Sequence, residues 1–218
     1  MATHQVLIAG EWRDSDATQT FQASDPRAAT LIPEDYPVSS WAECEAALDA
    51  AGIAYAQLRE MPSEAIAAFL EAYATRIDAR SEEIRTSAAR ETALPAETRL
   101  VGELARTTGQ LRAAASATRS SAWQMPIIDS ANNIRSCFAP LGPVAVFGPN
   151  NFPLAFGSIS GGDFAAAIAA GNPVIGKANS MHPGTTRPLA EEAQLAATAA
   201  ERDGSFGAAG GRCHGRSP

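Results

Sequence analysis

Two short apolar runs, Val144-Ala145-Val146-Phe147 and Val174-Ile175-Gly176-Lys177, stand on either side of an Ala-rich stretch, and no other feature constrains the fold as tightly. The first run has Gly-Pro on both flanks, as expected of a buried parallel strand too short to be a helix. The stretch from about Gly162 to Ala170 reads as a helix that stops at Gly171, and Asn172-Pro173 leads into the second run. With a last helix from roughly Thr186 to Glu201, residues 142–201 predict the first part of a doubly wound, nucleotide-binding parallel sheet, incomplete with only these two strands.

Upstream the pattern differs. Val6-Leu7-Ile8-Ala9-Gly10-Glu11-Trp12, followed by Thr18 to Phe21, predicts a short hairpin with Asp14 to Asp16 at its turn. Ser40, with Glu43 three residues later, makes a capping box at the start of an Ala-rich helix running toward Met61-Pro62. Ser63 is expected to cap a second helix, in which Ile66, Phe69, Leu70, Tyr73 and Ile77 recur at helical spacing. Ser81 opens a third that ends near Leu94-Pro95, and a fourth covers about Ala96 to Ala122. The Arg and Glu residues on the other faces read as solvated surface. Pro126, Asp129-Ser130, Asn132-Asn133 and Pro140 then punctuate a segment holding one strand-like run, Ile134 to Phe138. The fold class is therefore α/β, with an N-terminal hairpin and helices over 1–122, a connecting segment over 123–141, the first part of a Rossmann-like domain over 142–201, and an aberrant or disordered Gly/Arg-rich tail over 202–218.

Composition excludes several functions. Of 218 residues 45% are hydrophobic and 19% charged, and the apolar positions never gather into a membrane-length run, so no membrane partner is expected. The start, Met1 to Gln5, lacks the basic and apolar pattern of a secretory signal, so a cytoplasmic location is expected. A net charge of −7 without a basic stripe argues against nucleic acid. Cys44, Cys137 and Cys213 are odd in number and far apart, which offers neither a disulfide framework nor a metal motif.

Chemistry is expected where the two strands end. Phe147-Gly148-Pro149-Asn150-Asn151 forms a polar turn at the carboxyl end of the first strand, the side on which open α/β sheets build their sites. Asn151 offers two N–H donors and no titratable proton, which suits holding a developing oxyanion. Capping the following helix is its other reading, and on pattern alone the simpler one. Lys177 can direct its ammonium at the hydroxyls or phosphate of a nucleotide ribose, or be an ordinary surface lysine.

Taken in order, these stretches resemble the aldehyde dehydrogenase superfamily. Gly142 to Val146 is similar to that family's Gly-Pro-Val-apolar strand, Asn151-Phe152-Pro153 to its Asn-Phe-Pro turn, Ala165 to Pro173 to its Ala-rich helix ending Ala-Gly-Asn, and Val174 to Lys177 to its lysine-terminated strand. Leu7 to Trp12, Thr20-Phe21, Asp25-Pro26 and the helix after Ser40 extend the resemblance over about residues 5–200. Phe147-Gly148 before Asn150 to Phe156, then Gly161-Gly162-Asp163 and His182-Pro183-Gly184, look most like the NADP-preferring bacterial enzymes acting on 2,5-dioxopentanoate (α-ketoglutarate semialdehyde).

The resemblance implies a site and a reaction. Asn151 would stabilise the oxyanion, Phe147, Gly148, Pro149 and Asn150 would contact the cofactor, and Lys177 and Ser180 would meet the adenosine ribose or its 2′-phosphate. NAD-preferring relatives often carry glutamate where Ser180 stands, so NADP is the implied cofactor, with NAD the alternative. In the family a cysteine thiolate attacks a small aldehyde, hydride passes to the nicotinamide, and water activated by a glutamate releases the carboxylic acid. That cysteine and glutamate lie further downstream in family members and have no match here, so this chain is expected to be an inactive fragment of an enzyme that is a homo-oligomer when complete. Cys213 beside His214 does not replace them, because a loose terminus supplies no fixed geometry. The alternative is a non-catalytic nucleotide-binding or partner-docking module.

Overall fold

The computed structural model describes residues 3–202. Strands β1 (Val6–Ile8) and β2 (Glu11–Arg13) form an antiparallel hairpin, with Leu7 opposite Trp12. Its turn falls at Ala9-Gly10 and not at Asp14 to Asp16. Both turn residues have positive φ, 54° and 80°, the conformation a two-residue hairpin needs for its twist to match the strands. Asp14 instead accepts a bond from Gln5, and Ser15 and Asp16 bond to Glu43. A second hairpin, β3 (Thr20–Asp25) with β4 (Thr30–Pro37), follows. The Asp25 carboxylate accepts from the amides of Arg27 and Ala28 at its turn.

Four helices come next: α1 (Trp41–Leu58), α2 (Ser63–Ala79), α3 (Ser81–Thr92) and α4 (Arg99–Ser120). The capping box of Ser40 and Glu43 is present. Ser63, expected to be a cap, is the first helical residue of α2, with Pro62 at the cap position and no side-chain cap bond. Between α3 and α4, Ala93 takes a left-handed φ of 59°, and residues 96–98 form a turn, which delays α4 to Arg99. The connecting segment holds two short strands, β5 (Ile127–Asp129) and β6 (Ile134–Ser136), paired antiparallel.

The strand-helix-strand unit is β7 (Val144–Phe147), α5 (Gly162–Ala169) and β8 (Val174–Lys177). The strands are parallel and in register, with Val144 opposite Val174 and Phe147 opposite Lys177. Asn172 fixes their entry, its buried side chain accepting from the amides of Leu141 and Gly142 and donating to Ala167 O. Helix α6 (Pro183–Arg202) begins at Pro183, three residues before the predicted Thr186. Proline suits a first helical turn, and the buried Glu91 carboxylate receives the Gly184 and Thr185 amides there. The predicted tail lies, past Arg202, outside the described residues.

Helix α2 is the centre of the core. Leu70, Tyr73, Ala74 and Ile77 are fully buried, and their cluster takes in Leu100, Leu104 and Leu111 of α4, Phe164 of α5 and Leu189 of α6. The sheet unit therefore stands on the helical part through shared side chains. The faces expected to be solvated on α1 to α4 include three exceptions, Glu43, Glu91 and Glu103, all buried.

Candidate functional site

Strands β7 and β8 finish side by side, and the loops leaving them form one edge. Beyond β7 the chain turns through Gly148 to Asn151 and then folds back beneath the strands. A Cβ at Gly148 would lie 2.7 Å from Ser158 N and 2.8 Å from Phe156 O, and one at Gly176 would collide with Ile159 Cγ2. Residues 156–159 thus pass so close to both strands that only glycine fits at these two positions.

The loop after β8 is tied to the turn after β7. Asn179 Nδ2 donates to Gly148 O at 2.9 Å, and its Oδ1 accepts from Met181 N. His182 Nε2 is 3.2 Å from Pro149 O, so that nitrogen carries the ring proton. The buried Nδ1 of His182 has no hydrogen-bond partner among the described residues.

The residues expected from sequence are brought to this one edge. Phe147, Pro149, Asn150, Asn151, Lys177 and Ser180 are exposed, and Gly148 is half-buried. Asn151 does not cap a helix, because turns follow it and α5 begins only at Gly162, with Gly161 as its cap. Its carbonyl accepts from Arg99 Nη2 at 3.4 Å, while its side-chain amide is unbonded among the described residues. The Lys177 ammonium has no acidic partner among the described residues. An open cleft of about 830 Å³ lies elsewhere, between β4, α3 and α6, and its arginines 80, 90 and 187 are each paired with glutamates.

Sequence reasoning missed Glu103, Arg99 and Asn179. Glu103 accepts from the amides of Leu154 and Ala155 at 2.9 and 3.0 Å and from Arg99 Nη1 at 2.6 Å. The Arg99 guanidinium lies 4.3 Å from the centre of the Phe152 ring. Arg99 and Glu103 are four residues apart on α4, but their contacts to residues 152, 154 and 155 span some fifty residues of chain, and no local pattern announces those.

Burial holds the His182 ring below its ordinary pKa, because the charged imidazolium would be desolvated. The unfolded chain then takes up this proton before the folded one does. Stability from His182 is present above about pH 6.5 and is lost as pH falls through the lower folded value. Urea unfolding between pH 7.5 and 5.5 is expected to show stability falling toward acid, with a shallower fall in His182→Gln. Comparing the two proteins cancels the contributions of His4 and Glu91, and identical slopes would place the His182 ring in contact with solvent.

Among the described residues, no group of three or more His, Cys, Asp or Glu could hold a metal ion, and no helix is long and apolar enough to cross a membrane. Cys44 lies on α1 and Cys137 follows β6, both exposed and neither on the loops that leave β7 and β8.

The model of the aldehyde dehydrogenase family matches residues 12–201, and the chain belongs to that family of NAD(P)-dependent enzymes. It is 41% identical over 194 residues to alpha-ketoglutaric semialdehyde dehydrogenase 2 of Azospirillum brasilense, an alignment covering 84% of this chain and 36% of that protein. Identity to the alpha-ketoglutaric semialdehyde dehydrogenase of Acinetobacter baylyi is 35%, covering 82% of this chain and 36% of the relative. The chain thus spans about a third of the length of these curated relatives. Among solved structures it is similar to succinate-semialdehyde dehydrogenase from Burkholderia pseudomallei, with a TM-score of 0.78, 27% identity, and coverage of 88% of this chain and 39% of that one. The fold is that of the N-terminal part of such enzymes.

Proposed function

We propose that the chain is the N-terminal portion of an NADP-preferring aldehyde dehydrogenase that oxidises a semialdehyde such as 2,5-dioxopentanoate to the carboxylic acid. The observation that carries this reading is the shared edge, where an unbonded Asn151 amide and a lysine without an acidic partner stand on the loops and strand ends of β7 and β8. The relatives named for alpha-ketoglutaric semialdehyde support the substrate class.

The residues present fit the cofactor. Lys177 supplies charge for a 2′-phosphate, the exposed Ser180 hydroxyl adds a neutral donor where a carboxylate would repel it, and the Phe147-Gly148-Pro149-Asn150 turn, exposed but for the half-buried Gly148, offers backbone and an apolar ring. Bound NADP would accept the hydride. Asn151 would donate N–H bonds to the oxyanion without competing for protons. The cysteine and glutamate of the reaction belong to the downstream portion of a complete enzyme, and this chain alone is inactive on that reading. In the complete homo-oligomer, the β5–β6 ribbon, with Ile127, Ile128 and Ile134 exposed, offers apolar surface to another copy.

Calorimetric titration of the 218-residue chain with NADP⁺ and NAD⁺ tests the cofactor assignment. NADP⁺ is expected to bind more tightly, Lys177→Ala to weaken it by roughly tenfold to a hundredfold as a charge-assisted bond is lost, and Ser180→Glu to reverse the order. Equal affinities that Lys177→Ala leaves unchanged would overturn the assignment. Steady NADPH production from 2,5-dioxopentanoate, abolished by Asn151→Ala, would overturn the inactivity of the chain.

A further inference from the structure

We infer that Glu103, on α4, is a positioning residue for Asn151, holding from inside the core the turn on which that amide is carried. This rests on the reading of Asn151 as the oxyanion donor. The contacts are specific to the turn. One oxygen of the Glu103 carboxylate receives the amides of Leu154 and Ala155, and the other receives Arg99 Nη1. Arg99 in turn reaches the carbonyl of Asn151 and lays its guanidinium over Phe152. Residues 151, 152, 154 and 155 are therefore all gripped by one ion pair.

Physical chemistry explains why a charge is kept in this place. Leu154 and Ala155 are buried and lie in neither a helix nor a strand, so their amides have no ladder partner and need an acceptor. Three donors converge on the site. A carboxylate can accept from all of them, whereas a glutamine would turn an NH₂ group toward Arg99. The Glu103 side chain is 0% exposed. A buried ion pair adds little net stability compared with apolar packing, so its use here is geometric, fixing the path of the turn. The Asn151 side chain has no bond of its own among the described residues, and its position follows from that path. An error of about 1 Å in such a group is enough to cost on the order of a hundredfold in rate.

The test uses the whole 218-residue chain, labelled for NMR, and needs no cofactor. Glu103→Gln is compared with Leu111→Ala, a change at a fully buried position of the same helix that loosens the shared core but removes none of the hydrogen bonds that hold the turn. Urea is added so that the two variants are compared at equal global stability. In Glu103→Gln the Leu154 and Ala155 amides are expected to exchange about tenfold to a hundredfold faster than in Leu111→Ala, and the Asn151 side-chain amide signals to shift. Leu111→Ala is expected to leave those signals in place. Should Glu103→Gln fail to fold, Arg99→Gln removes the pair from its half-exposed end and is read in the same way. Identical exchange and unshifted Asn151 signals at matched stability would overturn the inference and reduce Glu103 to a structural residue. Failure of the unsubstituted chain to bind NADP⁺ in the separate titration, with the turn signals responding to Glu103→Gln as expected, would count against the functional reading alone, so the two failures are distinguishable.

Discussion

Gly148→Ala is expected to destabilise the protein by about 2–3 kcal/mol, lowering the thermal midpoint by roughly 4–12 °C. The added methyl meets backbone, Ser158 N at 2.7 Å and Phe156 O at 2.8 Å, and backbone cannot rotate away as a long side chain can. Either the turn after β7 lifts off residues 156–158 or those residues sink into the core, and both routes break contacts. Gly109→Ala on α4 is the control. A Cβ there meets nothing within 4 Å, so helix propensity decides and a gain of about 0.5–1 kcal/mol is expected. Urea unfolding of both variants gives the comparison. If Gly148→Ala unfolds at the same urea concentration as the parent, residues 156–158 do not approach the strand end as described.

The same close approach shows which parts of the site were legible in the sequence. Val144 to Phe147 and Val174 to Lys177 announce themselves as strands because each is a short apolar run with Gly and Pro at its ends, although the burial expected on both faces is not found, with Val146 buried and Ala145 and Phe147 exposed. Once two parallel strands are placed, Asn151 and Lys177 fall at or just past their carboxyl ends, but position alone left them as a helix cap and a surface lysine, and the roles proposed for them come from the family resemblance. The capping box at Ser40 was legible for a similar reason, since it involves residues three apart. The first hairpin was only half legible. Its strands show, but its turn depends on Ala9 accepting a left-handed conformation, which Asp14 to Asp16 imitate better in composition.

What holds the site was not legible. Glu103 looks like one more surface acid on an amphipathic helix, and nothing near it in sequence reveals that two amides some fifty residues away need an acceptor. Glu91 is hidden in the same way, closing the first turn of α6 from α3. Burial of an acid reflects unmet donors elsewhere in the fold, and helical periodicity carries no information about those. Asn179 and His182 belong to the same class, since their acceptors are carbonyls of the opposite loop.

Tyr73→Ala is the substitution from which the largest loss is expected, about 3–5 kcal/mol, because it empties the centre of the core. Tyr73 is fully buried on α2, its ring stacked beside Phe69 at 6.1 Å and edge-on to Phe164 at 5.8 Å. Its hydroxyl lies 3.1 Å from both Ile159 O and Leu189 O, so one proton is offered to two carbonyls from different elements. Burial pushes the phenol well above its ordinary pKa, and the hydroxyl keeps that proton throughout the neutral range. Tyr73→Phe separates the two contributions. It keeps the ring and removes the donor, for an expected cost of about 1–3 kcal/mol, since buried carbonyl groups lose their partner. The smaller change also reaches the site, because Ile159 is the residue whose side chain lies under Gly176 of β8. Amide exchange over residues 156–161 is therefore expected to quicken in Tyr73→Phe while α1 exchanges as in the parent. A Tyr73→Ala protein within about 1 kcal/mol of the parent, measured by urea unfolding, would show that α2 does not carry the strand ends in the way its contacts imply.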